Sequence, residues 1–463
     1  MKFTIVGSGI AGLISGLVLS KKGHEVRIIE AGSEVGGLYR TARTVDGLAF
    51  DFGSHIPLSS GIEELDEMVF GNLPESDWWA FNSTLKEYGY FNGALNDKSQ
   101  CLDVRGVKKD LYDRIVLQTM NLSPDENGYE NLESHMIGNY GEALTNEILR
   151  PVLKKIAGWD LSELAPNALP FFGLQRSILF NDFITRKLKS IPFFDDRIAD
   201  TNARVRESDT WKYYPKSGGC GKFTDELVKQ LENLGVEITV DEAVVSGEEG
   251  ENGTVKSIRL KSGEVIESDY IIWTAPPIFF MKTLGMDCSQ FGPLPFRSVA
   301  LYHFVYDQAS LTDGHYIYCY EPEWRSYRTS IFPNLTLDPV CGPPHHLTVE
   351  VFLNDKDEDA EALLPQIWEE QIKMGLVPEA AKATHQEVQV IPHAWPVQIP
   401  EFFDSLDKQR NAIENRYSNL LLIGRASGDH HMIPQMRRIW KRLVEEKSFS
   451  SGRMHEDGPV DNN

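Results

Sequence analysis

The sequence predicts an α/β fold in which a Rossmann-like nucleotide-binding domain is joined to a mixed α+β domain. Three stretches carry that expectation. At the N-terminus, KFTIVGSGIAGLISGLVLSKKGHEVRIIE runs through a short apolar segment, a glycine turn, a helix-spaced apolar segment and a second apolar run. Further on, residues 210–277 and 419–446 each combine a helix-period stretch with a buried-strand pattern. At 463 residues the chain is long enough for one large two-domain molecule with an extensive core.

Taken in order, Phe3 to Val6 reads as a buried strand and Gly7-Ser8-Gly9-Ile10-Ala11-Gly12 as a turn. Leu13 to Lys22 has helical apolar spacing, and Glu25 to Glu30 is the next strand. The glycines form G-x-G-x-x-G between a strand and a helix, the context in which that motif has chemical meaning. Gly7 permits the tight turn, Gly9 lets a pyrophosphate approach the backbone, and Gly12 allows close packing of helix on strand. The helix start at Ile10 and Ala11 offers N–H groups and a partial positive charge to phosphate. Glu30, followed by Ala31, stands 18 positions after Gly12, where a carboxylate accepts hydrogen bonds from an adenosine ribose. Together these residues predict dinucleotide binding.

Bulk properties exclude other classes. The formal charge of −22 argues against a nucleic-acid partner, whose phosphates would be repelled. An anionic ligand must therefore be held by a few local cations. Five scattered cysteines (Cys101, Cys220, Cys288, Cys319, Cys341) with no Cys-x-x-Cys pair suit a reducing cytoplasm and exclude a zinc framework. The glycine-punctuated N-terminus lacks a small-residue cleavage site, and no apolar run reaches membrane-spanning length.

Val35-Gly36-Gly37-Leu38-Tyr39-Arg40-Thr41 follows the acidic residue, and with it the stretch from Lys2 to about His55 resembles the extended signature of the FAD-binding amine oxidase and protoporphyrinogen oxidase superfamily. The resemblance implies FAD as cofactor, with Gly37, Leu38 and Arg40 along its pyrophosphate. Residues 210–277 resemble that superfamily's second FAD section: an amphipathic helix (Phe223 to Leu234), a hairpin turned at Asn252-Gly253, a further turn at Ser262-Gly263 and a strand ending at Trp273. There Val244 corresponds to the residue that meets adenine through its backbone. Asn419 to Arg425, a strand running into Gly424, resembles the final FAD section, and a helix from about Ile433 to Glu446 follows it. The resemblance thus implies a discontinuous FAD domain (1–75, 205–285 and 395–447), a substrate domain (76–204 and 286–394) and a disordered tail (448–463). Residues 76–204 read as largely helical, with Pro151 kinking or restarting a helix from Leu144 to Ile156. Residues 296–353 contain strand-like runs.

The reaction is suggested by Tyr318-Cys-Tyr320-Glu-Pro-Glu-Trp-Arg-Ser-Tyr327-Arg328-Thr-Ser, which resembles UDP-galactopyranose mutase, a redox-neutral enzyme that needs reduced FAD. The resemblance implies a nucleotide-sugar substrate and pyranose/furanose isomerisation, with NADPH or NADH as an external reductant. Arg328 would clamp the diphosphate beside Tyr320; the plainer reading pairs Arg328 with Glu321 or Glu323. In Asp51-Phe52-Gly53-Ser54-His55 the histidine would lie near flavin N5. Lys216-Ser217 stands where those mutases place an arginine, a departure that weakens the assignment of the sugar nucleotide. Asp429-His430-His431 invites a metal reading, but adjacent histidines on a turn diverge, so the reading is no metal, Asp429 as a helix cap and the backbone to Met432 facing the flavin. Asp160 reads as a cap and His345-His346 as loop surface. The alternative function is an amine-oxidase-type oxidase, dehydrogenase or desaturase. A non-enzymatic escort protein of the same fold is disfavoured by the intact glycines. Sequence leaves the oligomeric state open.

Overall fold

The computed structural model of the chain describes residues 1–82, 85–123, 128–168, 174–202, 210–292, 294–336, 345–354 and 358–445. Two compact units emerge, Met1–Phe81 with Asp209–Gly292 and Asp404–Asn463, and Asn82–Ser208 with Pro293–Phe403. The sequence-based boundaries differ by a few residues: 76–81 and 286–292 group with the first unit, and 395–403 with the second. Cys341 and the segment 448–463 lie outside the described residues.

The first unit is built on a five-stranded parallel sheet. Strand β1 (Lys2–Val6) is central, helix α1 (Ile10–Lys21) follows it, and β2 (Glu25–Ile29) pairs beside it from Lys2 opposite Glu25 to Val6 opposite Ile29. Glu237–Thr239 extends the sheet beyond β2, while Tyr270–Trp273 and Leu420–Leu422 extend it on the other side of β1. Because both faces of a parallel sheet are covered, its strands and α1 are apolar nearly all round. Every residue of α1 from Ile10 to Leu19 is buried. Its core neighbours include Phe223, Leu227 and Leu231 from the helix Gly221–Asn233, and Met436 and Ile439 from the helix Met432–Trp440. The hairpin between Val244–Glu249 and Val255–Leu260 turns through Asn252 and Gly253, both with positive φ (58° and 69°), as Asn-Gly favours.

The second unit carries a seven-stranded sheet in the order Ala383–Pro396, Phe296–Tyr306, His345–Phe352, Arg328–Ile331, Tyr316–Cys319, Glu87–Phe91 and Ala94–Asn96. All neighbours are antiparallel except Tyr316–Cys319 with Glu87–Phe91. One face is apolar: Ala300, Tyr302, Phe304 and Tyr306 join Leu347, Val349 and Val351 in a core that includes Ile367 of the helix Leu364–Lys373. The helical reading of 76–204 holds only from the helix Lys109–Asn121 onward. Before it lie the strands Trp78–Phe81, Glu87–Phe91, Ala94–Asn96 and Leu102–Asp103, rich in the aromatic residues that favour sheets. Residues 142–157 form one continuous helical run, with a π turn over Thr145–Leu149 directly before Arg150–Ala157, so the irregularity falls where Pro151 cannot donate to the helical ladder. His345 and His346 are not on a loop surface. They open a strand opposite Tyr306 and Val305, and each is only 7% exposed.

Candidate functional site

In the first unit the glycine turn forms a cradle. Gly7 has a φ of 103°, and a Cβ there would stand 2.2 Å from Thr274 Oγ1. A Cβ on Gly12 would stand 1.9 Å from the Gly7 carbonyl oxygen, so α1 touches the end of β1 only because that atom is missing. Gly9 caps the helix without a side-chain hydrogen bond, and a Cβ there would meet nothing within 4 Å. The first helical bond runs from Leu13 N–H to Gly9 O (3.0 Å), so the N–H groups ahead of it have no helical carbonyl to reach. Ile10 and Ala11 thus begin a helix whose polar end is open to a phosphate.

The other predicted cofactor residues converge on this cradle. Gly36 N–H donates to Ser8 O (3.0 Å), Gly36 bridges Gly9, and a Cβ on Gly37 would come within 3.4 Å of Gly9 Cα. Leu38 and Arg40 follow on that turn; Arg40 pairs with Glu34 (3.5 Å) and lies over the Phe52 ring at 5.0 Å. The Glu30 carboxylate accepts from Ser8 N–H (2.8 Å), Ser8 Oγ (2.7 Å) and Gly32 N–H (2.8 Å), three anchors on a group with room for about four. Ala31 beside it is exposed. Val244 is brought close by Glu242 N–H to Glu30 O (3.0 Å) and Asp241 N–H to Gly32 O (2.8 Å). Gly424 has a φ of 69°, and a Cβ there would lie 2.8 Å from Ala11 Cβ. Arg425 is exposed, and Met432 is buried with its Sδ accepting from Leu58 N–H (3.3 Å). His55 is half-buried, edge-on to Tyr39 at 5.8 Å.

Sequence reasoning quoted Asp51 but gave it no role, and it is the buried hub of this region. It is 1% exposed and accepts from Tyr214 Oη (2.6 Å) and from Cys220 N–H (2.8 Å). A Cβ on Gly219 would strike both Asp51 Oδ1 (2.3 Å) and Thr41 Oγ1 (2.4 Å). One carboxylate therefore fastens the Arg40–Thr41 turn and the 214–220 loop to the strand that leads to His55. Burial pushes its pKa up to about 7, against the opposing pull of the Tyr214, Cys220 and Thr41 hydrogen bonds. The signal available in sequence was an acid in a strand with no basic residue to pair with.

Asp429 is not a cap. The helix Met432–Trp440 is capped by His431 without a side-chain bond, whereas Asp429 forms a buried ion pair with Arg438 and accepts from Ser427 Oγ (2.8 Å). Burial, with Arg425 nearby, pushes the His430 pKa down to about 4, and burial also lowers that of His431, so both are neutral at pH 7. Among the described residues no group of three or more His, Cys, Asp or Glu is placed to hold a metal ion. Lys216 donates to Glu75 O (2.5 Å) and lies over Trp79 at 4.3 Å. Asp160 does cap: it accepts from Ser162 N–H (3.2 Å) while Glu163 accepts from Asp160 N–H (3.0 Å).

In the second unit, the sheet face opposite the apolar core is mixed, with a row of polar side chains beside Val299, Leu301, Val305 and Phe352. Paired residues share a face, and here the pairs are Tyr318 with Arg328, Arg328 with Glu350, Ser330 with Thr348, Thr348 with His303, and His303 with Glu387. Arg328 makes neither of the ion pairs foreseen with Glu321 or Glu323. Its Nε and Nη2 donate to the two oxygens of Glu350 (2.7 and 2.8 Å), and its Nη1 donates to Tyr318 Oη (3.3 Å). Tyr320 is buried, stacks near-parallel with Tyr318 at 6.0 Å, and donates through its hydroxyl to Gln100 O (2.8 Å). The structure therefore groups Arg328 with Tyr320 on the second unit, and His55 with the glycine cradle on the first.

Residues 5–69 match the NAD(P)-binding Rossmann-like domain family. A carotenoid 3,4-desaturase from Haloarcula japonica is 26% identical over 254 residues, 52% of this chain and 49% of that protein. An uncharacterized protein of the nifH2 3' region in Methanothermococcus thermolithotrophicus is 46% identical over 55 residues, 12% of this chain and 52% of that one. The chain thus spans about half the length of the curated relatives it matches. Among solved structures, reduced UDP-galactopyranose mutase aligns over 97% of both chains with a TM-score of 0.73 at 16% identity. A protein described as a protoporphyrinogen oxidase, from Exiguobacterium, aligns over 97% of this chain and 99% of its own with a TM-score of 0.67, also at 16% identity. The chain therefore shares its fold with reduced UDP-galactopyranose mutase and with the Exiguobacterium protein, and over residues 5–69 it carries the NAD(P)-binding Rossmann-like domain. The open helix end, the side-chain-free surface at Gly9 and the Glu30 carboxylate fit the pyrophosphate and ribose of a dinucleotide such as FAD.

Three outcomes follow from this geometry. Gly12→Val forces side-chain atoms into the Gly7 carbonyl, and the purified variant is expected to carry less than about a tenth of the wild-type flavin per chain by absorbance; full flavin content in a folded variant contradicts the cradle. Because the Asp51 pKa is raised in the folded state, its stabilising contribution is present below the unfolded carboxyl value and is lost as pH rises through about 7. Melting temperatures of wild type and Asp51→Asn should accordingly converge between pH 5 and pH 8, and a constant gap rules this out. Glu350→Gln leaves the buried Arg328 without its anion and should cost about 3–5 kcal/mol in urea unfolding, with much of the loss restored in Arg328→Met/Glu350→Leu.

Proposed function

We propose that the chain is an FAD-dependent enzyme that acts on a nucleotide sugar, interconverting pyranose and furanose forms while its flavin is reduced. The observation that carries this reading is the row of polar side chains on the second unit's sheet, where Arg328, Glu350, Tyr318, Thr348 and His303 are buried or nearly so. Burying charges and hydroxyls costs free energy unless polar partners meet them, so this row of side chains suits sugar hydroxyls and a diphosphate. The likeness of fold to reduced UDP-galactopyranose mutase supports the same reading.

In this reading the first unit is the FAD domain and the second the substrate domain. Gly7, Gly9, Ile10, Ala11 and Gly12 hold the pyrophosphate, Glu30 and Ala31 the ribose, Val244 the adenine, and Gly37, Leu38, Arg40, Gly424, Arg425 and Met432 line the remaining length of the cofactor. When bound and reduced, the flavin supplies the nucleophile for the anomeric carbon. Its reductant is NADPH or NADH. His55 offers a hydrogen bond at the flavin edge. Arg328, kept charged by Glu350, turns Nη1 to the diphosphate, and Tyr320 holds Tyr318 in place by stacking. Among the described residues Cys101, Cys220, Cys288 and Cys319 are free thiols, which suits a cytoplasmic enzyme.

A second reading, an amine-oxidase-type oxidoreductase, is favoured by one observation: the guanidinium fork of Arg328 is already engaged by Glu350. The two separate in one assay. Reduced anaerobically and given a panel of UDP-hexoses, the protein is expected to interconvert pyranose and furanose forms, and to do nothing when oxidised. Substrate-dependent bleaching of the oxidised flavin, with no isomerisation by the reduced protein, replaces the mutase with the oxidoreductase. Arg328→Lys, which keeps the charge but loses the planar fork, should raise KM for the nucleotide sugar by roughly 10- to 100-fold while leaving flavin content unchanged.

A further inference from the structure

The short helix Asp182–Leu188 and the turn after it carry an apolar and basic surface that neither the cofactor nor the substrate reading uses. The helix is firmly seated. Asn181 caps it by accepting from Ile184 N–H (3.0 Å), Thr185 is fully buried, and Asp182 accepts from Thr201 N–H (2.9 Å). Below it, Lys189 donates to Ile198 O (2.9 Å) and pairs with Asp195 (2.7 Å). From this fixed base Phe183 projects at 73% exposure, the most exposed large apolar side chain among the described residues, with Ile184 at 41% and Ile191 at 48%. Arg186 and Lys187 are exposed between them, and neither side chain makes a hydrogen bond or ion pair among the described residues.

We infer that this surface docks the protein peripherally on an anionic phospholipid bilayer. The net charge of −22 sets the chain as a whole against such a surface, so attraction must be local, and here Arg186, close enough to act on Asp182, and Lys187 stand exposed. The apolar side chains project outward, which suits insertion at a headgroup boundary. Each basic residue near an anionic leaflet contributes about 1 kcal/mol, and the phenyl and isoleucine side chains add apolar burial at about 25 cal/mol per Å². Bulky apolar groups on either side of exposed Arg and Lys suit a segment lying in the membrane surface rather than crossing it.

Vesicle flotation tests this with the full chain. Wild type should float with phosphatidylcholine vesicles that contain phosphatidylglycerol and remain unbound with phosphatidylcholine alone. Phe183→Ser/Ile184→Ser and Arg186→Glu/Lys187→Glu should each weaken binding by at least about tenfold. Because every substituted side chain is exposed, melting temperature should stay near wild type and serves as the folding control. Absence of flotation, flotation unchanged by charge reversal, or concentration-dependent dimerisation abolished by Phe183→Ser in place of vesicle binding each overturns the inference.

Discussion

Helix α1 meets the end of strand β1 so closely that no side-chain atom fits at Gly12, and the first unit depends on that contact. The Gly7 carbonyl occupies the place of the missing Cβ, which fixes the helix axis relative to the sheet and leaves the first N–H groups of α1 pointing away from the chain. The same turn receives Gly36 and Gly37 against Gly9, and Gly424 against Ala11. The turn at Gly36-Gly37 and the distant Gly424 therefore meet one helix end through positions that carry no side chain. That is the geometry a pyrophosphate needs: a concave, backbone-lined surface with donors and few competing atoms.

Buried polar groups organise what surrounds the cradle. Asp51 joins the turn after Arg40, the loop before the helix Gly221–Asn233 and the strand leading to His55, with hydroxyl and N–H donors and no cation. In the second unit the Arg328–Glu350 pair does comparable work across two strands. Burial opposes the charge of Arg328, and the Glu350 carboxylate and neighbouring tyrosine hydroxyls outweigh it, so the guanidinium stays charged. Such pairs contribute little net stability, but they fix the direction of the groups they hold.

What was legible in the sequence was local. G-x-G-x-x-G between strand and helix, the Asn252-Gly253 hairpin and the helix irregularity at Pro151 depend on neighbours within about one turn or one βαβ unit, and the structure bears them out. What was not legible depends on distant partners. Asp51 meets Tyr214 and Cys220 more than 160 positions away, and Arg328 finds Glu350 because two strands align, not because an acid stands next to it in the chain. Asp429 looked like a cap because it precedes a helix, yet Arg438, one and a half turns along the next helix by simple residue count, claims it. His345-His346 followed two prolines and looked like loop, but sheet pairing with Tyr306 and Val305 buried them. Tertiary pairing overrode local pattern in each case.

The central claim is that the glycine cradle holds FAD. The most direct measurement is to purify the full chain, release its bound cofactor by heat, and identify and quantify the released nucleotide by chromatography against FAD, NAD and NADP standards. The account predicts FAD at close to one per chain for the wild type and almost none for Gly12→Val. Release of a nicotinamide dinucleotide in its place, or a colourless folded wild type that takes up no added FAD, contradicts it.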